Sequence, residues 1–167
     1  MEGTCFDAPW GTHLKVISFL VTALLLGIFA GMAVFGDVRT PLQTALYLVV
    51  PPAVLAPALL LTVRGYRITG EGISVKRLLW NTDIALGVLR RVEHDPKAMT
   101  GAIRTWGNGG LFSFSGRFRS GRLGSFRAYV TYHRNCVLIE SVSGILVVSP
   151  GNPGLFVEML ENGIRER

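Results

Sequence analysis

Two long runs of apolar residues open the chain, and an alternation of apolar and polar positions fills the remainder. From Val16 to Gly36 there are 21 residues without a charge, including Leu24-Leu25-Leu26-Gly27-Ile28-Phe29. A helix of that length rises about 30 Å, the thickness of a bilayer's hydrocarbon core. The run exceeds the apolar region of a secretory signal and a second run follows almost at once, so a transmembrane helix is a better reading than a cleaved leader. The second run, Leu42 to Val63, has 22 residues and no charge, and contains Pro51, Pro52 and Pro57. Proline removes a backbone donor and crowds the preceding turn, which predicts a bent span, with a re-entrant segment as the alternative.

Only Gly36-Asp37-Val38-Arg39-Thr40-Pro41 separates the two runs. Such a short link predicts an antiparallel helical hairpin with both termini on one side. Lys15 before the first span, and Arg64, Arg67, Lys76 and Arg77 after the second, assign that side to the cytoplasm by the excess of Lys and Arg in cytoplasmic flanks. Gly27 and Gly31 offer a close-packing face on the first helix, a spacing that chance also produces in apolar sequence.

After Val63 the period changes to two, as expected of strands with one buried face. Arg64 to Thr69 and Gly72 to Leu79 form a predicted strand pair across Gly70-Glu71-Gly72. Ile84 to Val92 is a mixed strand or loop segment ending at His94-Asp95-Pro96, and Trp106-Gly107-Asn108-Gly109-Gly110 reads as a turn. From Phe112 to Arg119, Phe112, Phe114, Gly116 and Phe118 fall on one face and Ser113, Ser115, Arg117 and Arg119 on the other. Past Gly121-Arg122 the alternation resumes, with Phe126, Ala128, Val130 and Tyr132 set against Arg127, Tyr129 and Thr131, which predicts a hairpin with one core face and one basic face. Cys136 to Glu140 and Ile145 to Ser149 give two more strands. Asn152 suits a helix cap and Pro153 the first helical position, so a short terminal helix carrying Leu155, Phe156, Met159 and Leu160 on one stripe is expected to plug the open end of a curved sheet. The domains are thus a tail over residues 1–13, a membrane hairpin over 14–63 and a β domain over 64–167.

Composition sharpens this division. The 167 residues are 49% hydrophobic and 17% charged with a mean hydropathy of +0.40, and the apolar excess lies before Val63. From Arg64 onward stand 15 of the 17 basic residues against 8 of the 11 acidic ones, leaving that part near +7. Such a surface suits anionic lipid head groups or an acidic protein, and a solvated basic face explains the same residues. Nucleic acid is disfavoured, because the aromatics alternate inward and leave no stacking platform.

Arg117, Arg119, Arg122 and Arg127 cluster on the predicted hairpin, where forked guanidinium groups would hold lipid phosphates. Arg64, Arg67, Lys76 and Arg77 lie close enough to Val63 to act as juxtamembrane anchors. Trp10, Trp80, Trp106 and Tyr66 are candidates for the membrane interface, with Trp10 and Tyr66 flanking the spans. Gly107 to Gly110 is not followed by the Gly-Lys-Ser/Thr of a phosphate loop. His13, His94 and His133 show no metal-ligand spacing with Cys5 or Cys136, and Glu93, His94 and Asp95 form a polar loop more readily than an acid–base pair. No catalytic pair, cofactor or metal is therefore expected. Cys136, before Val137-Leu138-Ile139, reads as a small packed residue, and Cys5 lacks the apolar stretch that a lipoprotein signal requires.

Strand pairs in succession closed by a C-terminal helix are the plan of a pleckstrin-homology-like barrel. The stretch from Tyr66 to Leu160 resembles a bacterial PH-like domain in Tyr66-Arg67-Ile68 leading to Gly72-Ile73-Ser74-Val75, in Trp106 to Phe112 with Gly116-Arg117-Phe118, and in Val148-Ser149-Pro150 with Asn152-Pro153 and Phe156. Attachment to two membrane spans is common in that family, so the resemblance implies a fold and a place more than an activity. Eukaryotic PH domains read phosphoinositides with a basic motif between their first two strands, whereas the Gly70-Glu71-Gly72 turn is short and contains an acid. The sequence thus supports a non-catalytic membrane-bound module contacting anionic lipid head groups, a membrane protein partner or a copy of itself. The alternative is an accessory or scaffolding subunit of a membrane transporter or protease complex.

Overall fold

The computed structural model describes residues 4–35, 40–70 and 72–165. Strand β1 (Cys5–Asp7) precedes two helices, α1 (Thr12–Phe35) and α2 (Pro41–Leu60). Nine strands follow: β2 (Gly65–Thr69), β3 (Gly72–Lys76), β4 (Asn81–Ala85), β5 (Leu89–His94), β6 (Ile103–Gly109), β7 (Phe114–Ser120), β8 (Gly124–Val130), β9 (Val137–Ser141) and β10 (Gly144–Val148). Helix α3 (Pro153–Arg165) ends the described chain.

Both N-terminal helices are long and apolar enough to cross a membrane, with mean hydropathies of 2.2 over Thr12–Met32 and 1.6 over Pro41–Leu60. Protein covers little of either: Phe19, Leu24, Leu42 and Val49 all project outward. A helix that is apolar on every side requires an apolar surrounding. Thr40 caps α2, its Oγ1 accepting the Gln43 N–H at 3.3 Å, and Pro41 takes the first position, where no amide donor is needed. The helix then continues through Pro51, Pro52 and Pro57 as one 20-residue element. Of the predicted inter-helix link, Gly36, Asp37, Val38 and Arg39 lie outside the described residues, as does Glu71 of the first β turn. Apart from α1's own neighbouring backbone, no described atom lies within 4 Å of a side chain added at Gly27 or Gly31, so α2 does not pack against that face.

The residues read as a tail contain a strand. β1 pairs antiparallel with β2 in the register Cys5↔Arg67, Phe6↔Tyr66 and Asp7↔Gly65. Three residues are too few to display an alternation, which is why the sequence pattern conceals it. The strand before α1 and the strand after α2 are thereby fastened side by side, and the helical hairpin begins and ends at one edge of the domain.

The ladders form two sheets, β1-β2-β3-β4 and β5-β9-β10-β8-β7-β6, the second antiparallel except where β10 runs parallel to β8. The expected barrel is therefore an open pair of sheets. Between them Phe6, Val63, Tyr66, Ile73 and Val75 pack against Val137, Ile139, Leu146 and Val148, and Phe156 and Leu160 of α3 close the end. Asn152 Oδ1 accepts the Leu155 N–H at 3.2 Å, so the predicted cap starts the helix. Leu155 itself faces out, and Phe156 and Leu160 carry the buried stripe.

The opposite face of the larger sheet is also covered. Phe118, Phe126, Ala128, Val130, Leu138 and Val147 pack beneath Ala98, Met99 and Ala102 of the β5–β6 connection. Strands buried on both faces read as continuous apolar runs, which is the pattern of Val137-Leu138-Ile139 and Leu146-Val147-Val148. Three readings of the pattern are corrected, the first of them by this double burial. Tyr129 and Thr131, placed outward by alternation, are buried. Phe112 is not a strand residue: it sits in the β6–β7 turn with φ 64°, and Trp106 to Gly109 belong to β6. Ile84 to Val92 resolves into parts of two strands, β4 and β5.

A buried polar knot ties β2, β8 and β10 together. Tyr66 is fully buried, not an interfacial aromatic; its hydroxyl donates to Tyr129 O at 2.6 Å and accepts the Ser149 N–H at 3.2 Å. Ser149 Oγ accepts the N–H groups of Thr131 and Tyr132 at 2.8 and 3.3 Å. Burial favours the neutral phenol and raises the Tyr66 pKa.

Candidate functional site

The domain meets the helices through a few specific contacts. Arg77 Nε–H donates to Thr82 Oγ1 at 2.9 Å, and Nη1 donates to Leu61 O, at the α2 C-terminus, at 2.8 Å. Its guanidinium lies 5.3 Å from the Tyr129 ring centroid. The last carbonyls of a helix lack partners within the helix, and a cation there satisfies them and complements the helix dipole. Ser113 Oγ donates to the same carbonyl at 3.2 Å, and Phe112 N–H donates to Ser18 Oγ on α1 at 2.9 Å. Trp10 packs on Phe112 with ring centroids 6.0 Å apart. Half-buried Arg77 has its pKa lowered by desolvation, partly opposed by Tyr129. It is thus a clasp between domain and helix rather than a free anchor, a role that depends on the distant partners Leu61 and Tyr129.

The other three juxtamembrane cations differ. Arg64 is exposed, its backbone N–H donating to Lys76 O at 2.9 Å. Arg67 Nε and Lys76 Nζ flank Cys5 Sγ at 3.4 and 3.3 Å. Hydrogen bonding from Arg67, then from Lys76, lowers the pKa of the exposed Cys5 thiol, whereas burial pushes the Cys136 thiol up to about 12. Because the thiolate is the nucleophile, Cys5 is expected to alkylate in the native protein with a midpoint below that of an ordinary thiol, and Cys136 only on unfolding. Iodoacetamide labelling across a pH series, read site by site by mass spectrometry, checks this; equal rates at the two sites would refute it.

The four hairpin arginines divide as well. Arg117 and Arg127 are direct cross-strand partners, Trp106 lies opposite Arg117, and Arg127 neighbours Leu146 on the other side. Side chains in such a row share a face, so the core-facing side of the larger sheet continues outward from Leu146 to exposed Arg127, Arg117 and Trp106. The basic face is therefore an extension of the inter-sheet face, not its reverse. Tyr129, under Arg77, is two residues beyond Arg127 on β8, toward the helices and roughly 7 Å along the strand from this row. Arg119 stands two residues further out, and Arg122 is paired with Asp95. Trp106, 78% exposed, and Ile103, 73% exposed, lie at the outer edge, so not every aromatic points inward. The Thr69–Gly72 end of the β2–β3 hairpin is the end away from the helices, since Gly65 and Lys76 pair at the other.

His133 packs against Phe114 with centroids 4.6 Å apart; burial, and secondarily His13, lower its pKa. His94 Nε2 lies 2.9 Å from Arg134 O. A groove of about 330 Å³ holds His133 and Arg104 among Met99, Ala102, Phe114 and Phe118. Among the described residues no group of three or more His, Cys, Asp or Glu is placed to hold a metal.

Two packed sheets closed by a C-terminal helix, carried on a pair of apolar helices, define a small helix-tethered β domain of the PH-like class. The family model described as the bacterial PH domain matches residues 64–164, well over half of the chain, and the protein belongs to that family. No curated protein and no solved structure matches it. The matched segment begins after β1, so the first strand of the smaller sheet comes from outside it.

Proposed function

We propose that this protein is a non-catalytic module, held in the bacterial cell membrane by α1 and α2, whose PH-like domain contacts anionic lipid head groups through Arg117 and Arg127. The observation that carries this is the exposed cross-strand pair on a face that starts at the helix roots. Head groups extend several ångströms beyond the hydrocarbon core, which brings a row roughly 7 Å above Tyr129 within guanidinium reach. Arg119 stands higher, and Arg122 is engaged by Asp95. The β1–β2 pairing supports placing both ends of the hairpin on one side, and the basic flanks favour the cytoplasm.

Each juxtamembrane Arg contributes about 1 kcal/mol on an anionic surface, so Arg117→Glu with Arg127→Glu is expected to weaken anionic lipid retention by roughly 30-fold or more. The full chain in mixed micelles, titrated with phosphatidylglycerol against phosphatidylcholine at two salt concentrations, measures this. Unchanged, salt-insensitive retention would refute the reading.

A second reading, contact with a membrane protein or with the transporter or protease complex of which this chain would be an accessory subunit, is favoured by exposed Trp106 and Ile103 beside the arginines. Trp and Arg dominate interface hot spots. Stoichiometric recovery of a membrane protein lost on Trp106→Ala would select it.

A further inference from the structure

The turn joining β3 to β4 is Arg77-Leu78-Leu79-Trp80, closed by the Arg77 N–H donating to Trp80 O at 3.1 Å. Leu79 is 72% exposed, and Leu78 and Trp80 are 42% and 44% exposed. Three consecutive apolar residues at a hairpin tip are costly in water and form no part of either core. Their position supplies the reason. Arg77, at the base of the turn, donates to Leu61 O at the end of α2, and Lys76 pairs with Gly65 just beyond that helix. The tip is therefore on the side of the domain from which the helices leave.

The depth of that side follows from a second contact. Phe112 N–H reaches Ser18 Oγ, and Ser18 is buried within the apolar window Thr12–Met32 of α1. The domain's near end thus lies beside the second turn of the first span instead of above it. Leucine beside tryptophan is the composition of segments that rest at the boundary between head groups and acyl chains.

We infer that Leu78, Leu79 and Trp80 are embedded in the interfacial layer of the same bilayer that holds α1 and α2, as a third attachment point that fixes the tilt of the domain. This deepens the membrane reading above and rests on it. With the tip embedded, the domain cannot pivot about the chain at Leu61–Arg64, and the arginine face is held at a constant height.

The test uses the full chain in nanodiscs of phosphatidylcholine and phosphatidylglycerol, with Cys5→Ser removing the reactive thiol. An environment-sensitive dye is placed by Leu79→Cys, by Val142→Cys at the far end, or by Leu20→Cys on α1. Val142 is 63% exposed, and its N–H donates to Val88 O, just past the Ala85–Gly72 pair at the end of the smaller sheet away from the helices. Head-group nitroxide lipids are expected to quench the dye at position 79 several-fold more than at 142, with blue-shifted emission. Equal, weak quenching at 79 and 142 while the dye at 20 is shielded from water and quenched by acyl-chain nitroxides would overturn the inference and leave the membrane reading standing. A water-exposed dye at 20 would overturn both.

Discussion

Replacing Phe6 with Ala is expected to destabilise the domain by about 3–5 kcal/mol, although Phe6 stands nearly sixty residues before the family match begins. Its side chain is buried in the inter-sheet core, and its ring meets Phe156 of α3 edge-on at 4.9 Å. Truncation leaves a cavity between β1, β2 and α3 and removes an aromatic pair that contributes beyond its buried area. The effect should appear as lower resistance to denaturant in the full chain in detergent, followed by tryptophan fluorescence. A loss under about 1 kcal/mol, the scale of an ordinary surface change, would show that β1 is not part of the folded domain. The same packing predicts that a fragment beginning at Arg64 is markedly less stable than the full chain, because it exposes the β2 edge and the Phe156 ring.

The second large effect is expected at Arg77. Substitution by Met keeps an apolar stem but removes the bonds to Thr82 and Leu61 and the cation over Tyr129. Hydrogen bonds from a charged donor contribute about 1.5–3 kcal/mol, and a loss of about 2–3 kcal/mol is expected, since Ser113 still serves the Leu61 carbonyl. Arg77→Lys should recover little, because one ammonium cannot span both acceptors and lie flat on the ring. Hydrogen exchange distinguishes this local clasp from general destabilisation: amides from Leu61 to Arg64 and in the β3–β4 turn should accelerate far more than those of β9 and β10. Uniform acceleration would contradict the clasp.

These residues show where local pattern stops being informative. Arg77 sits among other cations after an apolar run, and in sequence it is one juxtamembrane charge of four. Its burial and partners arise only when β3, the α2 terminus and Tyr129 converge. Arg122 belonged to a four-arginine cluster until folding brought Asp95 to it from another connection. Arg117 and Arg127 were legible as neighbours because a hairpin register follows from its turn, and they are cross-strand partners. Proximity to a span suggests an interfacial Tyr66, yet the two-sheet core takes it in completely.

The elements that depend on nearest neighbours along the chain were therefore determined by sequence alone. Two uncharged runs set two helices, alternation set the β2–β3, β7–β8 and β9–β10 hairpins, and Asn152 with Pro153 set the start of α3. Each rests on periodicity, turn chemistry or capping, whose range is a few residues. The tertiary structure decided what depends on contacts across the chain: the recruitment of β1 to the sheet edge, the parallel pairing of β8 with β10, the opening of the expected barrel into two sheets, and the burial of Tyr129 and Thr131 on a face that alternation assigned to solvent. A sheet covered on both sides erases the difference between its faces, and a three-residue strand is too short to carry a period.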